Sequence, residues 1–214
     1  MILHIHSDAS YLTAAKARSR AGGHFFLSSN ATKDAPYNAP IHSLAKIIKN
    51  VMSSAAEAEL GALFMNAQEG IPMRTTLEEL GHPQPPTPVR IDNKTAYGIA
   101  TQTCKPQKTK AMDMRFHWLK DREAQGHYNF YWAPGKVNLG DFYTKHHPGN
   151  YHRNMRKFIL NCANKILTDT HLQGCAETLK VTRVTRDSRG TKVLPTSANA
   201  RINNSSLNHK LAAT

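Results

Sequence analysis

Two periodicities divide the first hundred residues of this chain, and the order in which they come limits what it can fold into. Near the amino terminus side chains alternate as they do in strands. From Ser54 onward apolar residues recur at helical spacing, and a strand pattern returns only after a run of prolines. Ile2, His4 and His6 fall on one face and Leu3, Ile5 and Ser7 on the other, which predicts a strand that ends at Asp8. After the basic stretch Lys16 to Arg20, the Gly22-Gly23 pair predicts a hairpin turn and His24 to Leu27 a second short strand. His42 to Lys49 alternates more loosely and completes an antiparallel meander of three strands.

Ser53 or Ser54 is placed to cap a helix in which Leu60, Leu63, Phe64 and Ala67 share a face. That helix is expected to run to about Leu80, with a kink at Pro72. The segment GHPQPPTP then has to be a loop, because proline fixes φ and removes a backbone donor. Val89, Arg90 and Ile91 make a short buried strand that delivers Asp92 at its carboxyl end. Lys94 to Ala100 reads as a helix, Cys104 to Lys110 as a basic loop, and Met112, Phe116 and Leu119 as one face of a further helix. Tyr128, Phe130 and Trp132 alternate in a last strand that stops at Ala133-Pro134-Gly135, with Trp118, Phe130 and Trp132 at spacings that fit core positions. Leu139 to Thr144 begins one more helix. The predicted order is β-β-β-α-β-α-α-β-α, an α/β protein.

The 28 Lys and Arg outweigh the 15 Asp and Glu, giving a formal net charge of +13. A surface of that sign attracts polyanions, nucleic acid above all, although a solvated basic face has the same composition. Cys104, Cys162 and Cys175 are odd in number and form no C-x-x-C pair, which argues against a disulfide framework and for a reducing interior compartment. No window approaches the roughly 18 apolar residues of a membrane span. The start, MILHIHSD, lacks a basic n-region and reads as a strand, not as a secretory signal.

Four acids stand where a strand ends or a helix begins: Asp8, Glu59, Asp92 and Asp141. Carboxylates converging on one place in so basic a chain repel one another unless a cation neutralises them, and magnesium takes oxygen ligands and binds phosphate. Glu57 competes with Glu59. The two lie about 200° apart on a helix, so only one of them can face the site.

The runs around these acids carry a resemblance. Ser7-Asp8-Ala9, the S-S-x-x-E-A-E-L of Ser53 to Leu60, the D-N-x-x-A of Asp92 to Ala96, the T-K-x-M-D-M-R-F-H of Thr109 to His117 and the L-x-D-x-x-T-K of Leu139 to Lys145 follow one another in an order that resembles the ribonuclease H domain of copia-type retroelements. The resemblance spans about residues 1 to 147. It implies a ribonuclease H-like α/β fold, a mixed five-stranded sheet with helices on both faces. It also implies an endonuclease that cuts the RNA strand of RNA/DNA hybrids, with Asp8, Glu59, Asp92 and Asp141 holding two magnesium ions that manganese can replace. It favours Glu59 over Glu57, because Glu-Leu-Gly-Ala is similar to the family's run at that place. The reverse transcriptase domain of the same element is an implied partner, and a cytoplasmic particle or the nucleus an implied location. Two departures stand out: Pro134 to Gly140 contains no histidine, so no general-base histidine is assigned, and Gly140 precedes the fourth acid where the family usually has alanine.

Under this reading residues 1-147 form the ribonuclease H-like domain, 148-168 a short helical extension, and 169-214 a polar basic tail expected to be disordered. Asn93 is placed either to cap a helix or to contact a 2′-hydroxyl or phosphate, and Lys105, Lys108 and Lys110 either to hold a backbone phosphate or simply to be solvated. His146, His147 and His152 with Cys162 do not complete a tetrahedral zinc set. Two rivals remain: a catalytically inactive retroelement remnant that binds nucleic acid without cutting, and another nuclease or integrase of the same superfold.

Overall fold

Alternation along the first strand sets the two faces of the sheet. Leu3 and Ile5 join one apolar core, while His4 and His6 turn to the other side, where each packs against Phe26. In the computed structural model, which describes residues 1–101 and 113–160, that strand is β1, Ile2–Ala14. It pairs antiparallel with β2, Arg18–Ser28, which pairs antiparallel with β3, Pro40–Ile47. On its other side β1 runs parallel to β4, Thr87–Ile91, which runs parallel to β5, Tyr128–Trp132. The sheet order is β3-β2-β1-β4-β5.

One face is covered by α1 (Ala55–Glu79), α2 (Lys94–Ala100) and α3 (Asp113–Ala124). Its core joins Leu3, Ile5 and Phe25 to Leu60 and Leu63 of α1, Ile99 of α2 and Leu119 of α3. A short 3-10 turn (Gly135–Val137), α4 (Asp141–Thr144) and α5 (Gly149–Ile159) belong to the other face, where Phe26 and Tyr37 pack with Val137, Leu139, Met155 and Phe158. Phe25 and Phe26, adjacent on β2, thus anchor opposite cores, each side chain contributing about 1.5–3 kcal/mol on burial. Among the described residues no helix is long and apolar enough to cross a membrane.

Several boundaries differ from the sequence reading. β1 does not end at Asp8 but continues to Ala14, through an irregularity between Ser10 and Ala14 where Leu12 takes φ of 56°. The hairpin turn is not at Gly22-Gly23. It lies at Ala15 to Ala17, with Lys16 and Ala17 at φ of 58° and 51°, a turn made without the glycine that sequence rules look for. Gly22 and Gly23 sit in mid-strand because both faces are approached closely there. A Cβ on Gly22 would lie 2.5 Å from Thr144 Cγ2, and one on Gly23 would lie 1.9 Å from Asn66 Oδ1.

The segment GHPQPPTP is not wholly irregular, since Thr87 and Pro88 already belong to β4. The buried Arg74 guanidinium pins the rest, donating to the carbonyls of Gln84 and Pro85 and to the Thr87 hydroxyl. α1 runs continuously through Pro72. Pro72 and Gln68 are both exposed, so water can meet the carbonyl that loses its helical donor. At the start of α1 the Ser54 hydroxyl accepts from Glu57 N, and the Glu57 carboxylate accepts from Ser53 N at 2.6 Å, a reciprocal cap of the kind that contributes about 1 kcal/mol. Asp141 opens only a single helical turn, and α5 follows it among the described residues. Trp132 is 37% exposed and so departs from the core position its spacing suggested, whereas Phe130 is buried.

Candidate metal centre

β1 and β4 lie side by side and parallel in the interior of the sheet, so Asp8 in β1 and Asp92 just beyond the end of β4 come together at the carboxyl end of β4. Glu59, in the second turn of α1, reaches the same place from the helical layer. Each of the three offers a carboxylate oxygen within 4.8 Å of the others, the one such group of potential metal ligands among the described residues. Glu57 lies elsewhere, committed to the cap at Ser53.

The fourth predicted acid, Asp141, stands beside this group without joining it. Its carboxylate is ion-paired with Lys145, one helical turn on, and its charge is felt at both Asp8 and Asp92. Thr144 donates to Asp8 from the same turn. Asn138, 2% exposed, gives its side-chain amide to the carbonyl of Ser7 and to the Asp92 carboxylate, and accepts from Gly140 N. Sequence reasoning quoted Thr144 and Lys145 as part of a motif but gave them no role, and passed over Asn138. The i+3 and i+4 spacing of Thr144 and Lys145 from Asp141 was the available signal for the first two. Asn138 had none, because its partners come from β1 and from the end of β4.

The electrostatics of the cluster are unfavourable as it stands. Burial, then the neighbouring charges of Asp141 and Asp92, push the Asp8 carboxyl up to about 7, against the opposing pull of Lys145 and the Thr144 donor. Burial, followed by Asp8 and Asp92, raises Glu59 well above the usual carboxylate range, with the backbone N–H of Ala9 opposing. Asp92 is raised as well, chiefly by burial with Asp141 adding to it. Burial alone would lower the Lys145 ammonium, but Asp8, Asp141 and Asp92 outweigh it and hold its pKa above the ordinary lysine value.

Oxygen donors that repel one another, with Lys145 as the one lysine balancing them among the described residues, suit hard divalent cations such as magnesium or manganese. Glu59 Oε2 fits this, being buried without a hydrogen-bond partner among the described residues. A cation would supply the missing partner and relieve the repulsion.

Of the other residues singled out from sequence, Asn93 caps α2, its Oδ1 accepting from Thr95 N and Ala96 N at 3.0 Å each. Lys105, Lys108 and Lys110 lie outside the described residues, as do Cys104, Met112, Cys162 and the tail 169-214. His147 stacks on Tyr151 with ring centroids 3.8 Å apart and meets the carbonyl of Asp141 through Nε2, so its ring packs against helices α4 and α5. His4, His6 and His24 are buried beside Phe26, where loss of hydration keeps all three below the ordinary histidine range.

A mixed five-stranded sheet in the order 3-2-1-4-5, antiparallel on one side of its first strand and parallel on the other, with helices on both faces, is the ribonuclease H-like fold. No family model and no curated protein sequence matches the chain. Among solved structures it is similar to a ribonuclease H1 isolated from compost by a metagenomic approach, at 13% identity over 66% of this chain and 91% of that one, with a TM-score of 0.48. The same enzyme in complex with an RNA/DNA hybrid gives 13% identity, 64% and 88% coverage and 0.44. The protease-reverse transcriptase of prototype foamy virus gives 10% identity over 63% of this chain and 17% of that one, at 0.39.

Proposed function

We propose that the chain is a metal-dependent endonuclease that hydrolyses the RNA strand of RNA/DNA hybrids, the ribonuclease H part of a copia-type retroelement polyprotein. The observation that carries this reading is the meeting of Asp8, Glu59 and Asp92 at the carboxyl end of β4, with Asp141 beside them. These are the four acids named by the order of the motifs around them. The net charge of +13 favours a polyanionic substrate.

Asp8, Glu59, Asp92 and Asp141 would hold two magnesium or manganese ions. Bound there, such ions supply a lowered pKa for an attacking water and stabilisation for the departing oxygen of the phosphodiester. The protein's own groups keep the acids in place for that role. Thr144 orients Asp8, Asn138 orients Asp92, the Ala9 amide holds Glu59, and Lys145 offsets part of their charge. Choice of the RNA strand would come from contacts with 2′-hydroxyls, since sugar and groove shape distinguish the hybrid from DNA. Inside the cell the reverse transcriptase domain of the same element would supply both the hybrid and part of the grip on it, in a cytoplasmic particle or the nucleus.

The test is cleavage of an RNA/DNA hybrid labelled on the RNA strand, with magnesium, with manganese and with chelator. Metal-dependent cuts in the RNA strand that leave a 5′-phosphate support the reading. Binding without cleavage under all three conditions would make the chain an inactive remnant, and equal cutting of duplex DNA would make it another nuclease of the superfold.

A further inference from the structure

Trp132 is the last residue of β5, on the same strand face as Tyr128 and Phe130. Those two are 1% and 3% exposed, but Trp132 is 37% exposed, so packing in the core does not account for a ring of this size at the strand end. Its indole N–H donates to the carbonyl of Asp92 at 3.0 Å, and the Ala133 amide continues the pairing beyond the strand by donating to Ile91 O. The exposed Lys94, on the first turn of α2, holds its ammonium 4.6 Å from the centre of the indole ring. One edge of the aromatic ring is therefore fixed to the main chain of a carboxylate in the cluster, its surface is open to solvent, and a cation lies against it.

Aromatic rings stack on nucleobases and sugars whatever the sequence, and a lysine beside such a ring can meet the backbone phosphate that accompanies them. We propose that Trp132 and Lys94 form a docking site for a nucleic-acid strand at the rim of the acid cluster, the indole stacking on a base or sugar and the ammonium pairing with a phosphate. This rests on the nucleic-acid reading of the site given above. It assigns a role to a tryptophan that the fold does not need for its core.

The chain has two tryptophans, so Trp118→Phe leaves Trp132 as the sole indole emitter. A fluorescein-labelled RNA/DNA hybrid is titrated into this variant and into the unaltered chain in chelator, with anisotropy reporting binding and indole emission reporting contact. Emission should fall as the hybrid binds. Trp132→Ala should weaken binding roughly tenfold. Trp132→Phe, which keeps a ring but loses the N–H, should retain most of the affinity. Lys94→Gln should reduce the slope of log K against log salt by about one. Unchanged emission together with unchanged affinity of Trp132→Ala would remove the docking site and leave the hybrid reading standing. Loss of affinity as large in Trp132→Phe as in Trp132→Ala would replace docking with mere support of Asp92. Absence of any hybrid binding by the unaltered chain would overturn both readings together.

Discussion

Asn138 donates its side-chain amide to the carbonyl of Ser7 at 2.8 Å, across 131 residues of sequence, and this bond fastens the segment that carries Asp141 to the strand that carries Asp8. The same side chain accepts from Gly140 N at 3.0 Å and reaches the Asp92 carboxylate. Three of the four acids are positioned relative to one another through this one buried residue.

Asn138→Ala should therefore leave a carbonyl and an amide unpaired in a dry setting, each costing about 1–3 kcal/mol. Chemical denaturation should show a lower midpoint with little change in slope. A midpoint within error of the parent would mean that water replaces the side chain at no cost.

Gly140→Ala tests a second close approach. Gly140, the residue before α4, has ordinary helical angles, φ −58° and ψ −32°, so its backbone conformation does not itself demand glycine. The added Cβ, however, would fall 2.9 Å from Asp8 Cβ and 3.1 Å from both Asp8 N and His6 O, where backbone and not a flexible side-chain end must give way. The clash should bring a net loss of about 1–3 kcal/mol and lowered activity. A more stable variant would show that α4 shifts freely.

Proton release should be linked to metal binding. The folded-state pKa of Asp8, about 7, lies above the ordinary 3.8, so its contribution to stability without metal is present below the unfolded value and is lost as pH rises through about 7. Glu59 and Asp92 shift in the same direction. The buried His24 works the other way. Its pKa is lowered to about 4, so its contribution is lost as pH falls from about 6.5 toward 4. Comparing melting temperatures with and without manganese cancels the histidine effect, and the increment due to metal should be larger at pH 8 than at pH 5. Equal increments at the two values would separate the cation from these acids.

Asp92→Asn should abolish cleavage and at the same time stabilise the chain above pH 7 without metal, because it removes a half-buried charge that repels its neighbours in the cluster. The paired readout separates loss of a ligand from loss of fold. An inactive variant that melts earlier than the parent would point to a structural defect instead.

The local sequence determined the order of elements and the positions of the acids. Alternation in Ile2 to Ser7 sorts Leu3 and Ile5 to one buried face and His4 and His6 to the other, and helical spacing after Ser54 marks Leu60, Leu63 and Ala67 as residues that pack on the sheet, so side-chain chemistry leaves a periodic trace where an element packs on a core. Turns and close approaches leave no such trace. The hairpin at Ala15 to Ala17 contains no glycine, and the glycines that suggested a hairpin, Gly22 and Gly23, answer instead to Thr144 and Asn66, residues far away in the chain.

The choice between Glu57 and Glu59 shows the same division. Their spacing on a helix dictates that only one can face the site, but which one does depends on how α1 is rotated against β1. Only the tertiary structure decided this, by spending Glu57 on the cap at Ser53 and bringing Glu59 within 4.8 Å of Asp8 and Asp92. Asn138, Thr144 and Lys145 gain their roles in the same way. Composition and periodicity record how much of a side chain is buried, whereas the partner it meets is set by the packing of elements distant in sequence.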